Sequence, residues 1–128
     1  MSKYLLDTTV LIDHLRGRQQ VVEFVTGLAD AGNELGVCSI SVAELCSGLS
    51  EKHRAVAAKL IDSLDYWDAT KETATMAGSY RYDFARKGVA LTTTDALVAA
   101  IAVGHGATLV TANARRYPMK EIEVLQQP

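Results

Sequence analysis

Lys3-Tyr4-Leu5-Leu6-Asp7-Thr8-Thr9-Val10-Leu11-Ile12-Asp13-His14-Leu15 decides the fold. A short apolar run ends in a carboxylate, Asp7, and an apolar helical pattern from Val10 to Leu15 follows at once and stops at Gly17. A buried strand passing directly into a helix is the opening of an α/β unit. In open α/β sheets, sites are built outside the carboxyl ends of the strands. Asp7 therefore stands where chemistry is expected, and the rest of the chain is read for polar groups that reach the same edge.

The pattern repeats outward from that start. A helix is expected over about Gln20–Ala31, with Val21, Val25 and Leu28 on one face and Gly32-Asn33 as its stop. Glu34–Cys38 reads as a strand. Ser39-Ile40-Ser41 leads into a helix striped by Val42, Leu45, Cys46 and Leu49. After a polar turn from Ser50 to His53, a helix over about Arg54–Ser63 turns Val56, Leu60 and Ile61 inward. Leu64–Asp68 is β-prone. Thr70 is an N-cap with Glu72 in the first turn of a helix that runs to Lys87, and Gly88 is its stop. Arg81 lies near the buried side of that helix and can reach a neighbouring edge. The helix from Asp95 to about Gly104 is apolar on nearly every face, so it is buried on more than one side. Ala107–Thr111 is a strand, Ala114–Tyr117 a basic turn broken by Pro118, and Glu121–Leu125 a last strand. Short apolar strands alternating with helices predict a three-layer α/β/α fold around a central parallel sheet of about five strands. With 128 residues the chain suits one domain, residues 1–128.

Composition excludes several classes. No apolar run approaches the roughly 20 residues of a membrane span, and no signal peptide is expected before Asp7. Two cysteines, Cys38 and Cys46, are too few for a disulfide scaffold and read as buried thiols, so a cytoplasmic protein is expected. A net charge of −2 argues against a protein that coats nucleic acid by overall attraction, but leaves room for local basic clusters. Four such clusters occur: Arg16/Arg18, Lys52/His53/Arg54, Arg86/Lys87 and Arg115/Arg116. His14, His53 and His105 show no ligand spacing and read as surface or helix-end residues.

Four polar residues share one local setting. Asp7 ends the first strand, Glu44 lies shortly after the second, Asp95 opens the buried helix, and Asn113 follows Thr111 by two residues. Each also has a plain structural use. Asp7 and Asn113 suit helix caps, Asp95 suits a helix dipole, and Ser41-Val42-Ala43-Glu44 fits a capping box. Carboxylates gathered at a half-buried edge repel one another unless a cation is present. With Thr8, Thr94 and Thr111 hydroxyls nearby, the oxygen donors suit Mg²⁺ or Mn²⁺ rather than zinc. Such an ion points to phosphoryl chemistry. No G-x-x-x-x-G-K-[ST], G-x-G-x-x-G or G-x-S-x-G occurs, which removes the P-loop, dinucleotide and α/β-hydrolase designs. Asp7-Thr8-Thr9 also lacks the second aspartate of an aspartyl-phosphate phosphatase.

Four motifs in order resemble the PIN-domain ribonucleases, in particular the VapC-like toxins of type II toxin–antitoxin pairs. They are Tyr4-Leu5-Leu6-Asp7-Thr8-Thr9, Ser41-Val42-Ala43-Glu44-Leu45, Thr94-Asp95-Ala96-Leu97-Val98-Ala99-Ala100 and Leu109-Val110-Thr111-Ala112-Asn113. The resemblance implies an Mg²⁺- or Mn²⁺-dependent endoribonuclease with Asp7, Glu44, Asp95 and Asn113 as its catalytic set. Asp7, Asp95 and Glu44 would be the metal ligands, the two aspartates foremost. It also implies a first strand at the centre of the sheet, a homodimer, and a cognate antitoxin that blocks the groove. Thr8, Thr111, Arg16, Arg115 and Arg116 would contact the RNA. Many family members carry a further carboxylate at or just after Asn113; here Asn113-Ala114-Arg115-Arg116 holds none, which puts a second metal in doubt. Two other readings use the same residues: a PIN-like RNA-binding module without activity, and a Mg²⁺-dependent phosphatase of small molecules.

Overall fold

The computed structural model describes residues 2–128. Its elements are β1 (Lys3–Leu6), α1 (Thr8–Leu15), α2 (Gln19–Asp30), β2 (Glu34–Cys38), α3 (Ser39–Ser47) and α4 (Glu51–Asp62). They continue with β3 (Asp65–Trp67), α5 (Lys71–Ala85), α6 (Thr93–Gly104), β4 (Thr108–Thr111), a 3-10 turn at Ala114–Arg116, and β5 (Val124–Gln126). The five strands form one parallel sheet in the order β3-β2-β1-β4-β5, so β1 is central as expected.

Alternation along the strands splits the interior into two cores, because successive strand residues point to opposite faces. Leu5, Cys38 and Leu109 enter the core beneath α5 and α6, while Leu6, Val37 and Val110 enter the core beneath α1, α2 and α4. The α6 helix is buried along Ala96, Val98, Ala99, Ala100, Ile101 and Ala102. It is sandwiched between the sheet and α5, which accounts for its apolar composition on nearly every side. Its alanines let both neighbours approach closely. On β2, Gly36 makes room for Trp67: a Cβ there would lie 2.6 Å from the indole ring. Trp67 in turn stacks on His105 at the end of α6, with ring centroids 4.4 Å apart.

Four local expectations are corrected. The α3 helix begins at Ser39 directly out of β2, so Ser41 is inside the helix and fully buried, its hydroxyl 3.5 Å from Cys38 Sγ. Ser41 and Glu44 therefore form no capping box. The α4 helix starts at Glu51, three residues early, because extended Ser50 already serves as its N-cap and Glu51 suits the first turn. Leu60 and Ile61 face inward as expected, but the third inward residue is Ala57, and Val56 is 58% exposed. The last strand begins at Val124 rather than Glu121, since pairing with β4 runs from Leu109↔Val124 to Thr111↔Gln126. Ile122 is nevertheless buried, in the turn ahead of the strand. Cys38 is buried, but Cys46 is only half-buried. Among the described residues, no helix is long and apolar enough to cross a membrane.

Candidate active site

The site is built at the carboxyl ends of β1, β2 and β4. Asp7 continues β1, and its amide donates to Val110 O on β4 at 3.0 Å. The backbone then enters α1, with Asp7 as an extended N-cap. One carboxylate oxygen, Oδ1, accepts from the Thr9 amide at 3.0 Å, the Thr9 hydroxyl at 2.5 Å and the Val10 amide at 3.3 Å. The other, Oδ2, accepts from the Tyr117 hydroxyl at 3.3 Å. Only 2% of Asp7 is exposed. The capping role is thus real, and it occupies one oxygen rather than the whole carboxylate.

Thr9 was not among the residues singled out in the sequence, yet it joins the site's two central strands. Its hydroxyl donates to Asp7 and accepts from the Ala112 amide at 2.9 Å, just past β4. Fully buried Thr111 turns the chain at that point, its hydroxyl accepting from the Asn113 amide at 3.0 Å. The 112–114 loop is fastened from the other side by Gln126. Its amide nitrogen donates to Ala112 O, and its Oε1 accepts from the Ala114 amide at 3.2 Å. Asn113 is exposed at the top of this loop, with Arg115 and Arg116 exposed in the turn behind it.

Glu44 reaches the edge from the second turn of α3, where its Oε1 accepts from the Thr8 hydroxyl at 2.9 Å. It stays solvent-exposed. A hollow of 450 Å³ lies beside it, lined by Ile12, Leu15, Arg16, Leu45, Leu49 and His53 among others. His53 was expected only at a surface or helix end; it is hydrogen-bonded to Ser50 and also lines this hollow. Arg16 is free to face the hollow, whereas Arg18 is held by Asp13 at 3.1 Å.

Asp95 lies in the first turn of α6, with its amide bonded to the N-cap hydroxyl of Thr92 at 3.1 Å. The carbonyl of Leu91, immediately before that cap, accepts from Arg81 Nε at 3.0 Å, which is how Arg81 reaches the neighbouring edge. Burial first, and then the negative charges of Asp7 and Asp95, push the Tyr117 phenol well above its ordinary value, with Arg116 opposing. Tyr117 is 4% exposed and keeps its proton as a permanent donor.

Hydrogen bonds join Thr8 with Glu44 and Thr111 with Asn113 at this edge, while Asp95 stands in the first turn of α6 with no hydrogen bond linking its carboxylate to Asp7, Glu44 or Asn113 among the described residues. The expected residues do not close into a cage. Among the described residues, no three His, Cys, Asp or Glu side chains come together as ligands of one ion. That arrangement still fits a magnesium-like ion, which usually keeps several waters and takes only one or two protein carboxylates. The donors are all oxygen, and Asp7 Oδ2 retains an unused lone pair. Tyr117 was missed because its meeting with Asp7 spans 110 residues of chain; no local spacing announces it.

The PIN domain family model matches residues 4–123, and the chain belongs to the PIN-domain family. It is 30% identical over 117 residues to ribonuclease VapC19 of Mycobacterium tuberculosis, covering 90% of this chain and 92% of that protein. Among solved structures, DNA-bound VapBC from Salmonella typhimurium superposes with a TM-score of 0.86 at 26% identity, covering 98% of both chains. VapBC2 from Rickettsia felis, bound to a fragment of promoter DNA, gives 0.87 at 22% identity, over 98% of this chain and 99% of that one. The VapC-like character expected from the four motifs stands with these likenesses.

Proposed function

We propose that the chain, as a single PIN-like domain, is a VapC-type endoribonuclease that hydrolyses RNA phosphodiesters with Mg²⁺ or Mn²⁺ and serves as the toxin of a toxin–antitoxin pair. One observation supports the reading: Glu44, from α3, bonds to the Thr8 hydroxyl next to buried Asp7, so two carboxylates from distant parts of the chain reach one edge at the strand ends.

Asp7, through Oδ2, and Asp95 would hold the ion, with Glu44 beside them. When bound, a divalent ion lowers the pKa of a water and offsets charge on the phosphate oxygens. The protein does the rest. The donors on Asp7 Oδ1 fix the plane of its carboxylate. Thr8 holds Glu44 Oε1, which leaves Oε2 to orient the attacking water or take its proton. Asn113 contributes a neutral amide and no charge, which favours a single ion over two. Arg16, Arg115 and Arg116, with Thr8, hold the RNA backbone, where cationic contacts supply most of the affinity; Thr111, expected among these contacts, is fully buried and instead shapes the loop that carries Asn113.

The hollow beside Glu44 is the seat of the antitoxin in this reading. Apolar Ile12, Leu15, Leu45 and Leu49 take apolar side chains, and Glu44 takes a cationic group. The homodimer would cover some of the large apolar groups left outside, such as Val56, Tyr66 at 54% and Tyr82 at 63% exposure.

The absence of three converging acids among the described residues favours a second reading, an RNA-binding module without cleavage. Purified protein separates the two. Isothermal titration with Mn²⁺ and cleavage of a mixed RNA pool are expected to be positive for the wild type. Asp7→Asn is expected to lose cleavage while remaining folded. No Mn²⁺ binding at millimolar ion selects the module, and RNA cleavage by Asp7→Asn equal to wild type removes the nuclease assignment.

A further inference from the structure

The two oxygens of the Asp7 carboxylate live in different surroundings. Oδ1 accepts from three donors in the first turn of α1, which leaves neither of its roughly two lone-pair sites unused. Oδ2 has a single donor, the Tyr117 hydroxyl at 3.3 Å. That hydroxyl comes from the far end of the chain, and everything around it is anchored. The ring is packed in the same core as Met119 and Ile122. The Tyr117 amide closes the 3-10 turn on Ala114 O at 3.1 Å. The turn itself is tied to β5 through Gln126. Thr9, which also holds Asp7, is bonded to the Ala112 amide at the start of the same loop. Asp7 is therefore clamped from two directions by one rigid segment.

We propose that Tyr117 is a positioning residue for Asp7: its hydroxyl takes one lone pair of Oδ2 and leaves the other as the single oxygen site that Asp7 presents to a divalent cation. The carboxylate is thereby restricted to binding through one oxygen, in one orientation. Without the hydroxyl, Oδ2 has no protein partner among the described residues, and the side chain is held through its Oδ1 contacts alone. This inference rests on the metal-dependent reading above and adds a residue outside the four motifs.

Tyr117→Phe keeps the buried ring and removes only the donor. Loss of a group that orients a ligand carboxylate is expected to weaken Mn²⁺ affinity about 10- to 100-fold by isothermal titration. RNA affinity measured in EDTA is expected to stay at the wild-type value. Cleavage is expected to fall at low Mn²⁺ and to recover as Mn²⁺ is raised, which a general loosening of the fold does not produce. Tyr80→Phe is the matched control, a phenol-to-phenyl change at another buried tyrosine, and is expected to leave Mn²⁺ affinity unaltered. Two results overturn the proposal in different ways. If the wild type binds Mn²⁺ and cuts RNA, and Tyr117→Phe binds Mn²⁺ equally well, Tyr117 has no positioning role. If the wild type neither binds Mn²⁺ nor cuts RNA, the nuclease reading falls and this inference falls with it.

Discussion

The two edges of the sheet differ in a way that size alone misjudges. At the amino ends of β2 and β3 lies a hollow of 540 Å³, lined by Val25, Ala29, Leu35, Leu60 and Leu64 with His14 and Asp65 among the polar groups. At the carboxyl ends the side chains of Asp7, Thr8, Thr9, Glu44 and Tyr117 are linked to partners from other elements, beside the hollow of 450 Å³ next to Glu44. The amino edge has volume without convergence. His14 is half-buried there, its pKa lowered by burial, and no hydrogen bond to its ring is formed among the described residues. The carboxyl edge has a hollow of similar size and convergence besides, and convergent polar groups are what a charged polymer substrate would need. A phosphodiester backbone is bound along a surface and not swallowed by a cavity.

The strongest way to break this contrast is to alter each edge in turn. Asp95→Asn is expected to reduce RNA cleavage by about 100-fold or more, the range associated with losing one acidic participant. Thr26→Leu, which fills part of the amino-edge hollow from an exposed position on α2, is expected to leave cleavage within about twofold of wild type. A cleavage assay on both proteins checks the pair, and a reversal of the two outcomes would move the chemistry to the other edge.

A smaller effect separates the two duties of Asp7. Asn can still accept the Thr9 and Val10 amides, whereas Ala cannot. Asp7→Ala is therefore expected to be less stable than Asp7→Asn by about 1 kcal/mol, up to about 2, the usual worth of an N-cap. Urea unfolding of the two inactive proteins measures it. Equal midpoints would mean that the carboxylate is there for chemistry alone.

The gentlest test uses pH. The Tyr117 phenol is held above its unfolded value of 10.0, so the folded state keeps a proton that the unfolded state gives up. Its contribution to stability is fully present below pH 10 and is lost as pH rises beyond it. Wild-type protein is expected to lose stability faster than Tyr117→Phe across that alkaline range, as followed by thermal melts at fixed ionic strength. Parallel curves would show that the phenol is not buried against the two acids.

The same contrast explains what could be read from the residues in order. The central strand, its terminal aspartate and the buried helix that opens with Asp95 were legible, because an apolar run ending in an acid leaves a local trace. Thr70 as a cap was legible for the same reason, although its partner is the Thr73 hydroxyl and no acid takes part. Ser41 and Glu44 misled, since the same spacing serves a helix start or a mid-helix pair. Only the continuity of β2 into α3 decides between the two. Val56 misled because the stripe that faces the core is Ala57, Leu60, Ile61 and Leu64, spaced by three and four residues, and Val56 lies about 100° away from Ala57 around the helix. Thr9, Tyr117 and Gln126 were invisible as site residues. Their roles exist only after the first and last quarters of the chain have been brought side by side.

The contact between Trp67 and His105 gives the molecule an optical signal of its own. The chain has one tryptophan, and its indole lies flat against an imidazole at the end of α6, on the strand farthest from β5. Every photon of indole emission thus originates at the outer flank of the sheet, where a sheet strand and a helix terminus touch. Fluorescence therefore reports the joining of β3 to α6, and it can follow folding without any dye while RNA or metal is added elsewhere.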